Sequence, residues 1–246
     1  MIVLFDLCGE FWRNFYGTGC SEMATYETTI ERLMFYRDEH EKFAVCLDSR
    51  SKRHDIFPEY KANRKPKPPL AIETLRSVET QVCSWSIPAI RCDGYEADDI
   101  IATLVSQAWA DEVRIVGGSP DKDLWALISD TVKVITKRGE VGPEGCVDKF
   151  GVQPEQMRDL LAMVGDVTDN VPGCPNCGMD RARTILKAFG TLNTAKAASD
   201  ADLLKLYGVG EKTVESFRAW DPALAVSLVT LMTDAPVKLE ELWPTD

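Results

Sequence analysis

The chain has 246 residues, of which 45% are hydrophobic and 27% are charged. This length suits one layered domain with a smaller one appended, and the composition excludes a disordered or collagen-like chain. No apolar run approaches the ~20 residues of a membrane span, and Met1 leads directly into Ile2–Phe5 without a basic leader. We therefore expect a soluble protein that is not exported. The eight cysteines are scattered through apolar segments and are interpreted as reduced cytoplasmic thiols.

The net charge of −11 argues at first sight against a polyanionic partner, but the charge is unevenly distributed. Between Arg50 and Lys67 there are seven basic and two acidic residues, so this segment carries +5 and the rest of the chain −16. Taken alone, such a segment is usually a solvated loop. Its aromatic and proline residues, and its position directly after a predicted strand, favour a clamp for a phosphate group instead.

Five short β-branched runs predict strands, and helical patterns separate most of them. The predicted strands are Ile2–Leu7, Phe43–Asp48, Ile87–Cys92, Val113–Val116 and Val132–Thr136. Apolar residues at three- and four-residue spacing predict helices over Ala71–Trp85 and around Ile100–Ala108. The alternation predicts an α/β fold, a mainly parallel sheet with helices on both faces. From about Gly142 the strand pattern stops, and helical stretches punctuated by glycine and proline predict a second, helical domain.

Acidic residues follow the predicted strands, and two more open the helical region. They are Asp6, Asp48, Glu96, Asp98, Asp99, Asp121, Asp123, Asp166 and Asp169. The carboxyl ends of parallel strands meet at one crevice, so we expect these side chains to converge. The spacing of three residues would place Glu96 with Asp99, and Asp166 with Asp169, each pair on one helical face.

Any one of these carboxylates is explained well as a helix cap, worth about 0.5–2 kcal/mol. The whole set is explained less well, because converging carboxylates repel each other unless cations neutralise them. No histidine or cysteine joins the set, which disfavours zinc and favours Mg²⁺ or Mn²⁺. Two such ions could activate water and stabilise charge in the hydrolysis of a phosphodiester.

Six motifs occur in a defined order along the chain. They are Asp6 with Arg13, the strand-ending Asp48, Tyr60-Lys61-x-x-Arg64, Glu96-Ala97-Asp98-Asp99, Asp121-Lys122-Asp123, and the Gly-Asp-x-x-Asp-Asn stretch from Gly165 to Asn170. Together they resemble the 5′-nuclease (flap endonuclease) family, which includes the 5′→3′ exonuclease domain of bacterial DNA polymerase I and the bacteriophage 5′-exonucleases. The resemblance covers nearly the whole chain.

The resemblance implies two domains. A PIN-like α/β nuclease domain would span residues 1–148 with a basic arch over about 51–69, and a helical DNA-binding domain with a helix–three-turn–helix motif would span 149–246. It implies two or more Mg²⁺ or Mn²⁺ ions held, directly or through water, by the nine carboxylates, and K⁺ in the helix–three-turn–helix motif. Lys61 and Arg64 would contact the scissile phosphate. The other substrate-binding residues would be Arg13, Lys52, Arg53, Tyr60, Gly173, Gly178, Arg181, Arg183 and Lys187.

The implied activity is hydrolysis of DNA near a 5′ end or flap beside a duplex, in replication or repair, with an RNA–DNA hybrid as a further candidate substrate. We expect a monomer without membrane contact, in the cytoplasm of a bacterial cell or a phage-infected host. A non-catalytic DNA-structure binder and a PIN-type ribonuclease toxin are the alternatives. The complete carboxylate set argues against the non-catalytic binder. The additional helical domain argues against the ribonuclease toxin.

Two stretches depart from the family pattern. Ser119-Pro120 stands where the family usually has glycine before Asp121, and proline fixes φ and removes a backbone donor. Asp180 stands where the family often has lysine, so Arg181, Arg183 and Lys187 would have to supply the cations. Cys174-Pro175-Asn176-Cys177 is interpreted as a turn, because a single C-x-x-C is a weak metal or redox signal.

Overall fold

The structure is a computed structural model that describes residues 1–117 and 122–243. Contacts divide the chain into a sheet unit, which comprises Met1–Lys52, Lys65–Gly142 and the residues from Leu231 onward, and a helical unit, which comprises Arg53–Arg64 and Pro143–Thr230. Both units are therefore discontinuous in sequence, and a single domain border at residue 148 stays a prediction. Asp121 and the preceding Ser119-Pro120 lie outside the described residues.

The sheet unit is built on six strands in the order β3-β2-β1-β4-β5-β6. Their bounds are β1 Ile2–Asp6, β2 Lys42–Leu47, β3 Ala89–Arg91, β4 Val113–Val116, β5 Val132–Thr136 and β6 Gly139–Val141. Strands β1 to β5 pair in parallel, and β6 pairs antiparallel with β5 at the edge. The predicted parallel sheet is confirmed. Strand β6 was not predicted, since its three residues contain a single β-branched side chain.

The described residues form the following helices in chain order: α1 Leu7–Gly17, α2 Glu22–Glu39, α3 Arg53–Ile56, α4 Pro69–Cys83, α5 Ala97–Gln107, α6 Pro143–Phe150, α7 Met157–Val164, α8 Met179–Phe189, α9 Leu192–Ala197, α10 Asp200–Leu204, α11 Glu211–Ala219, α12 Ala223–Val229 and α13 Leu239–Leu242. Short 3₁₀ helices cover Asp123–Leu127 and Pro154–Gln156. Within the described ranges, no helix is long and apolar enough to cross a membrane.

Helices cover both faces of the sheet, as the sequence predicts. On one face Val3 and Phe5 of β1 join a buried cluster with Phe11 of α1, Leu33 of α2 and Val78 of α4. On the other face α5 packs against β1, β2 and β3. Because β1 is buried along its whole length, its last residue, Asp6, is held at a fixed point at the carboxyl end of the strands.

The C-terminal segment of the sheet unit is hydrogen-bonded along α5. Three side chains at four-residue spacing accept its backbone N–H groups: Asp99 from Met232 at 2.8 Å, Thr103 from Ala235 at 3.2 Å and Gln107 from Leu239 at 2.8 Å. Residues four apart lie on one face of a helix. This segment therefore covers the α5 face that carries the buried Asp99.

The helical unit packs around buried side chains of α7, α8, α11 and α12, among them Leu160, Leu186, Phe217 and Leu228. The middle of the basic segment, Arg53–Arg64, belongs to this unit. Arg53 is 2% exposed, and its guanidinium donates to the carbonyls of Leu228 and Thr230, both at 2.8 Å. These bonds satisfy the buried charge and fix the start of the segment.

Candidate metal centre

Asp6 lies where β1 ends and α1 begins. Its carboxylate is 4% exposed and accepts the N–H of Gly9 at 2.9 Å, so it is the N-cap of α1. Gly9 and Gly117 pack against Asp6 at distances that a side chain would prevent. A Cβ on Gly9 would lie 2.3 Å from the Asp6 carboxylate, and a Cβ on Gly117 would lie 2.5 Å from the Asp6 carbonyl oxygen. Neither glycine was singled out from the sequence, although each lies within two residues of the end of a predicted strand.

Asp48 follows β2 directly and connects it to α5. Its carboxylate accepts the N–H of Ala97 at 2.8 Å. The charges of Asp6 and Asp48 both act on the Cys8 thiol, whose pKa is raised first by burial and then by these two carboxylates. Burial and the same two aspartates also raise the pKa of Cys46. Both thiols beside the carboxylates therefore favour the protonated form, while the carboxylates offer charged oxygen ligands.

Glu96, Asp98 and Asp99 form the tightest acidic group of the described chain. One carboxylate oxygen from each lies within 4.8 Å of the others. Glu96 and Asp99 are buried, and Asp98 is half-buried. Asp99 accepts N–H groups of Glu96 at 3.1 Å and Met232 at 2.8 Å, which fixes both the first turn of α5 and the C-terminal segment. The group thus combines a capped helix start with oxygens spaced closely enough for one ion.

The remaining predicted ligands are distributed between the two units. Asp123 begins the 3₁₀ helix after β4 in the sheet unit, whereas Asp121 lies outside the described residues. Asp166 and Asp169 belong to the helical unit. The prediction that they share a helical face is wrong. They lie in a turn that the Asp166–Val171 bridge closes, and the Asp166 carboxylate accepts the N–H groups of Thr168 at 2.8 Å and Asp169 at 3.2 Å.

The basic segment is held by specific partners within each unit. In the sheet unit, Lys52 donates to the Tyr95 hydroxyl at 2.6 Å, and this bond raises the Lys52 pKa. In the helical unit, Arg64 pairs with both carboxylate oxygens of Asp169 at 2.6 and 2.9 Å. The backbone N–H of Lys61 donates to the Asp169 carbonyl at 2.9 Å. Asp169 therefore fixes the end of the Arg53–Arg64 segment on its own turn.

Three predicted substrate contacts have structural roles in the described chain. Tyr60 is 5% exposed, and its ring meets the His54 ring edge-on with centroids 5.4 Å apart. Arg13 pairs with the fully buried Glu10. Arg53 is buried under α12, as described above. Sequence alone could not reveal these roles, because arginine side chains, and aromatic side chains in a charged segment, are normally solvated.

The predicted duplex-binding residues lie around the start of α8. Gly178 is the N-cap of α8, and a Cβ there would meet nothing within 4 Å. Gly173 differs, since a Cβ would lie 2.3 Å from the Val164 carbonyl oxygen. Arg181 donates to the carbonyls of Gly208 at 2.9 Å and Asn176 at 3.2 Å.

Arg183 donates to the Phe150 carbonyl at 2.5 Å. Lys187 is exposed near the end of α8. Within this group, the open space at Gly178 and the exposed side chain of Lys187 suit contact with a ligand better than the engaged guanidinium of Arg183.

Family models match the two parts of the chain. The "5'-3' exonuclease, N-terminal resolvase-like domain" matches residues 1–151, and the "5'-3' exonuclease, C-terminal SAM fold" matches residues 152–243. The chain therefore belongs to the 5′–3′ exonuclease family. The expected combination of a mainly parallel α/β domain with a following helical domain is confirmed.

Curated relatives agree with this assignment. The DNA polymerase I of Bacillus caldotenax is 38% identical over 197 residues, which are 76% of this chain and 22% of that protein. A 5'-3' exonuclease of Aquifex aeolicus is 34% identical over 210 residues, which are 83% of this chain and 70% of that protein. The chain thus spans about a fifth of the length of the DNA polymerase I relatives it matches.

Solved structures share the fold. A T5 5'-exonuclease with bound divalent metal ions (zinc) has a TM-score of 0.75 at 24% identity, over 92% of this chain and 87% of that one. The bacteriophage T5 D15 flap endonuclease, in a pseudo-enzyme-product complex with DNA and metal ions, has a TM-score of 0.74 at 21% identity, over 94% and 88%. The catalytic core of Rad2 with DNA substrate has a TM-score of 0.56 at 13% identity, over 95% and 77%.

Proposed function

We propose that this protein is a divalent-metal-dependent 5′ nuclease that hydrolyses DNA phosphodiester bonds near 5′ ends or flaps beside a duplex. The observation that carries the proposal is the close group of Glu96, Asp98 and Asp99, whose carboxylate oxygens lie within 4.8 Å of one another. Asp48 is fixed beside this group by its hydrogen bond to Ala97. Membership of the 5′–3′ exonuclease family, and the T5 structures that contain DNA and metal ions, support the assignment.

The donor set of the sheet unit fits Mg²⁺ or Mn²⁺. These hard cations prefer carboxylate oxygens, which this group of side chains supplies. Asp6, Asp48, Glu96, Asp98, Asp99 and Asp123 would hold the ions. Divalent ions there would lower the pKa of the attacking water and stabilise charge on the phosphate. Asp121, Asp166 and Asp169 as further ligands stay a prediction.

The protein's own residues position the reaction in this proposal. The buried Asp99 carboxylate accepts the N–H of Glu96, and the Asp48 carboxylate accepts the N–H of Ala97, so both fix the start of α5. Lys61 and Arg64 supply positive charge for the scissile phosphate. Because Arg64 is paired with Asp169, the phosphate would compete with a carboxylate for the same guanidinium. In such an exchange the phosphate would replace the Asp169 carboxylate, and the Arg64 guanidinium would keep a bidentate acceptor.

We propose that the protein acts as a monomer in the cytoplasm and that K⁺ binds near the start of α8. An RNA–DNA hybrid is a second candidate substrate. Cleavage of a hybrid flap at a rate comparable to a DNA flap would support it, and dependence of duplex affinity on K⁺ over Na⁺ at constant ionic strength would support the K⁺ site.

The test uses the intact chain and a DNA flap labelled at its 5′ end. With Mg²⁺ we expect labelled products cut near the junction of flap and duplex, and with EDTA we expect none. A blunt duplex without a 5′ single strand serves as the matched substrate control. Cleavage that persists in EDTA, or binding of the flap without any cleavage at saturating Mg²⁺ and Mn²⁺, would contradict the proposal, and the latter result would favour a non-catalytic DNA-structure binder.

A further inference from the structure

A tight turn with a cysteine at each end immediately precedes α8 in the helical unit. The N–H of Cys177 donates to the carbonyl of Cys174 at 3.2 Å, which closes the turn Cys174-Pro175-Asn176-Cys177. Pro175 suits the second position of such a turn, and Asn176 occupies the third with φ of 56°. The Cα atoms at the ends of a β-turn lie less than ~7 Å apart, which overlaps the range of about 4.4–6.8 Å for disulfides.

We propose that Cys174 and Cys177 are a dithiol that small hydroperoxides convert to a disulfide. The pair lies outside the candidate metal centre, and the proposal does not depend on nuclease activity. From the sequence this segment is interpreted as a simple turn, because a single C-x-x-C is a weak signal. The structure adds a closed turn that brings the two cysteines together and a difference between their environments.

The two thiols are chemically unequal. The Cys174 thiol donates to the Pro175 carbonyl at 3.6 Å. The neighbouring Cys177 thiol lowers the pKa of Cys174, and the nearby Lys196 ammonium lowers it further against the opposing effect of burial. The neighbouring Cys174 thiol, together with burial, raises the pKa of Cys177. Lys196 is anchored by donating to the carbonyls of Phe217 and Trp220. Cys174 is therefore the nucleophile and Cys177 the resolving thiol.

The chemistry balances with one hydroperoxide. The Cys174 thiolate attacks one oxygen of hydrogen peroxide, the O–O bond breaks, and the products are a sulfenic acid on Cys174 and hydroxide, which takes up a proton to become water. The Cys177 sulfur then attacks the Cys174 sulfur and the S–O bond breaks. The hydroxyl group leaves with the Cys177 proton as a second water. Two electrons pass from the thiols to the peroxide.

Burial selects the oxidant. Cys174 and Cys177 are 5% and 2% exposed, so a molecule the size of hydrogen peroxide has better access than a bulky disulfide. Buried cysteines are usually inert apolar groups, but these two stand at the ends of one closed turn. Here the turn also carries Asn176, whose carbonyl accepts from Arg181 at 3.2 Å and Thr213 at 3.3 Å. A disulfide would thus lock a turn that connects α8 with α11.

The test treats the reduced wild-type protein with increasing hydrogen peroxide, quenches it, alkylates the remaining thiols under denaturing conditions and maps the peptides by mass. We expect a Cys174–Cys177 disulfide, reversible by dithiothreitol, at peroxide doses that leave the exposed Cys20 and Cys83 reduced. With dimedone present, Cys177→Ser should accumulate an adduct on Cys174, whereas Cys174→Ser should give none on Cys177. Cys146→Ser is the matched control, since burial raises the pKa of that thiol to about 11.

Two results would overturn the proposal. Oxidation of Cys20 and Cys83 while Cys174 and Cys177 remain fully alkylatable would show that the buried pair is inert. A dimedone adduct on Cys177 instead of Cys174 would reverse the assigned roles and contradict the asymmetry. If either serine variant fails to fold, the peptide map of the wild-type protein decides the question by itself.

Discussion

Gly117 shows how single residues shape the carboxylate site at the end of β1. Its φ is 95°, and a Cβ would lie 2.5 Å from the Asp6 carbonyl oxygen and 2.9 Å from the Asp6 Cβ. Backbone atoms of a buried strand cannot yield as a flexible side chain can. The glycine is therefore required both by its conformation and by the close approach of β1 and β4. A side chain at this position should displace Asp6.

Gly117→Ala should lower the free energy of unfolding by about 3 kcal/mol or more, since it combines a strained φ with an overlap of atoms. Gly19→Ala is the matched control, because Gly19 has φ of 70° but a Cβ would meet nothing within 4 Å. That variant should lose only about 1–2 kcal/mol. Urea denaturation of both variants measures the difference, and equal losses would mean that the approach of Gly117 to Asp6 is not restrictive.

Several residue roles could not be predicted from the sequence for physical reasons. Two acidic residues three positions apart fit both a helical face and a turn. The Asp166 carboxylate accepts backbone N–H groups of its own turn, so this stretch is not a helix. Arg53 is buried because two carbonyls at the end of α12 satisfy it, and those partners are about 175 residues away in sequence. By contrast, Asp6 and Asp48 could be located, since each ends a β-branched run whose strand nature was clear.

At the scale of elements, α5 connects the acidic group to the C-terminal segment. Its first turn carries Glu96, Asp98 and Asp99, and its last turn carries Gln107, which donates to the Val237 carbonyl at 3.0 Å and accepts from the Leu239 N–H at 2.8 Å. The β-branched runs predicted the sheet correctly, and the apolar spacing around Ile100–Ala108 predicted α5. It gave no sign of the returning segment, because residues 231–239 have no strong periodicity and are held by side-chain hydrogen bonds.

Gln107→Ala should release the end of the C-terminal segment, since both hydrogen bonds to it are lost. We expect the free energy of unfolding to fall by about 1–3 kcal/mol and the amide of Leu239 to exchange faster with solvent. Ser106→Ala is the control, because among the described residues the exposed Ser106 hydroxyl bonds within α5, to the Thr103 carbonyl. Hydrogen exchange of both variants tests this. Unchanged protection of Leu239 in Gln107→Ala would contradict the role of Gln107.

At the scale of the whole molecule, the basic segment is less available than its charge indicates. Lys52 bonds to Tyr95, Arg53 to two carbonyls, and Arg64 to Asp169. The Lys67 ammonium lies 4.1 Å from the Trp12 ring centroid. An acidic protein can thus keep basic side chains paired internally and exchange those partners for phosphates. Affinity for DNA should then depend on cations that are exposed in the free protein as well as on the basic segment.

Lys187→Ala should flatten the dependence of duplex affinity on salt. Lys187 is exposed near the end of α8, and each lost phosphate contact reduces the slope of log affinity against log salt by about 0.9. Lys205→Ala is the matched control, because Lys205 is 72% exposed but pairs with Asp202 on α10. Fluorescence anisotropy over a range of salt concentrations gives both slopes. An identical change in the two variants would move the duplex-binding surface away from α8.

The most direct test of the metal centre measures metal affinity and cleavage in the same variants. Asp98→Asn removes one charge from the group of three carboxylates, and Asp93→Asn removes one from an exposed position nearby. Calorimetric titration with Mn²⁺ and single-turnover cleavage of the 5′ flap should show that Asp98→Asn weakens metal binding and abolishes cleavage while it leaves DNA binding equal or tighter. Asp93→Asn should match the wild type. Full cleavage by Asp98→Asn, with unchanged Mn²⁺ affinity, would contradict the account.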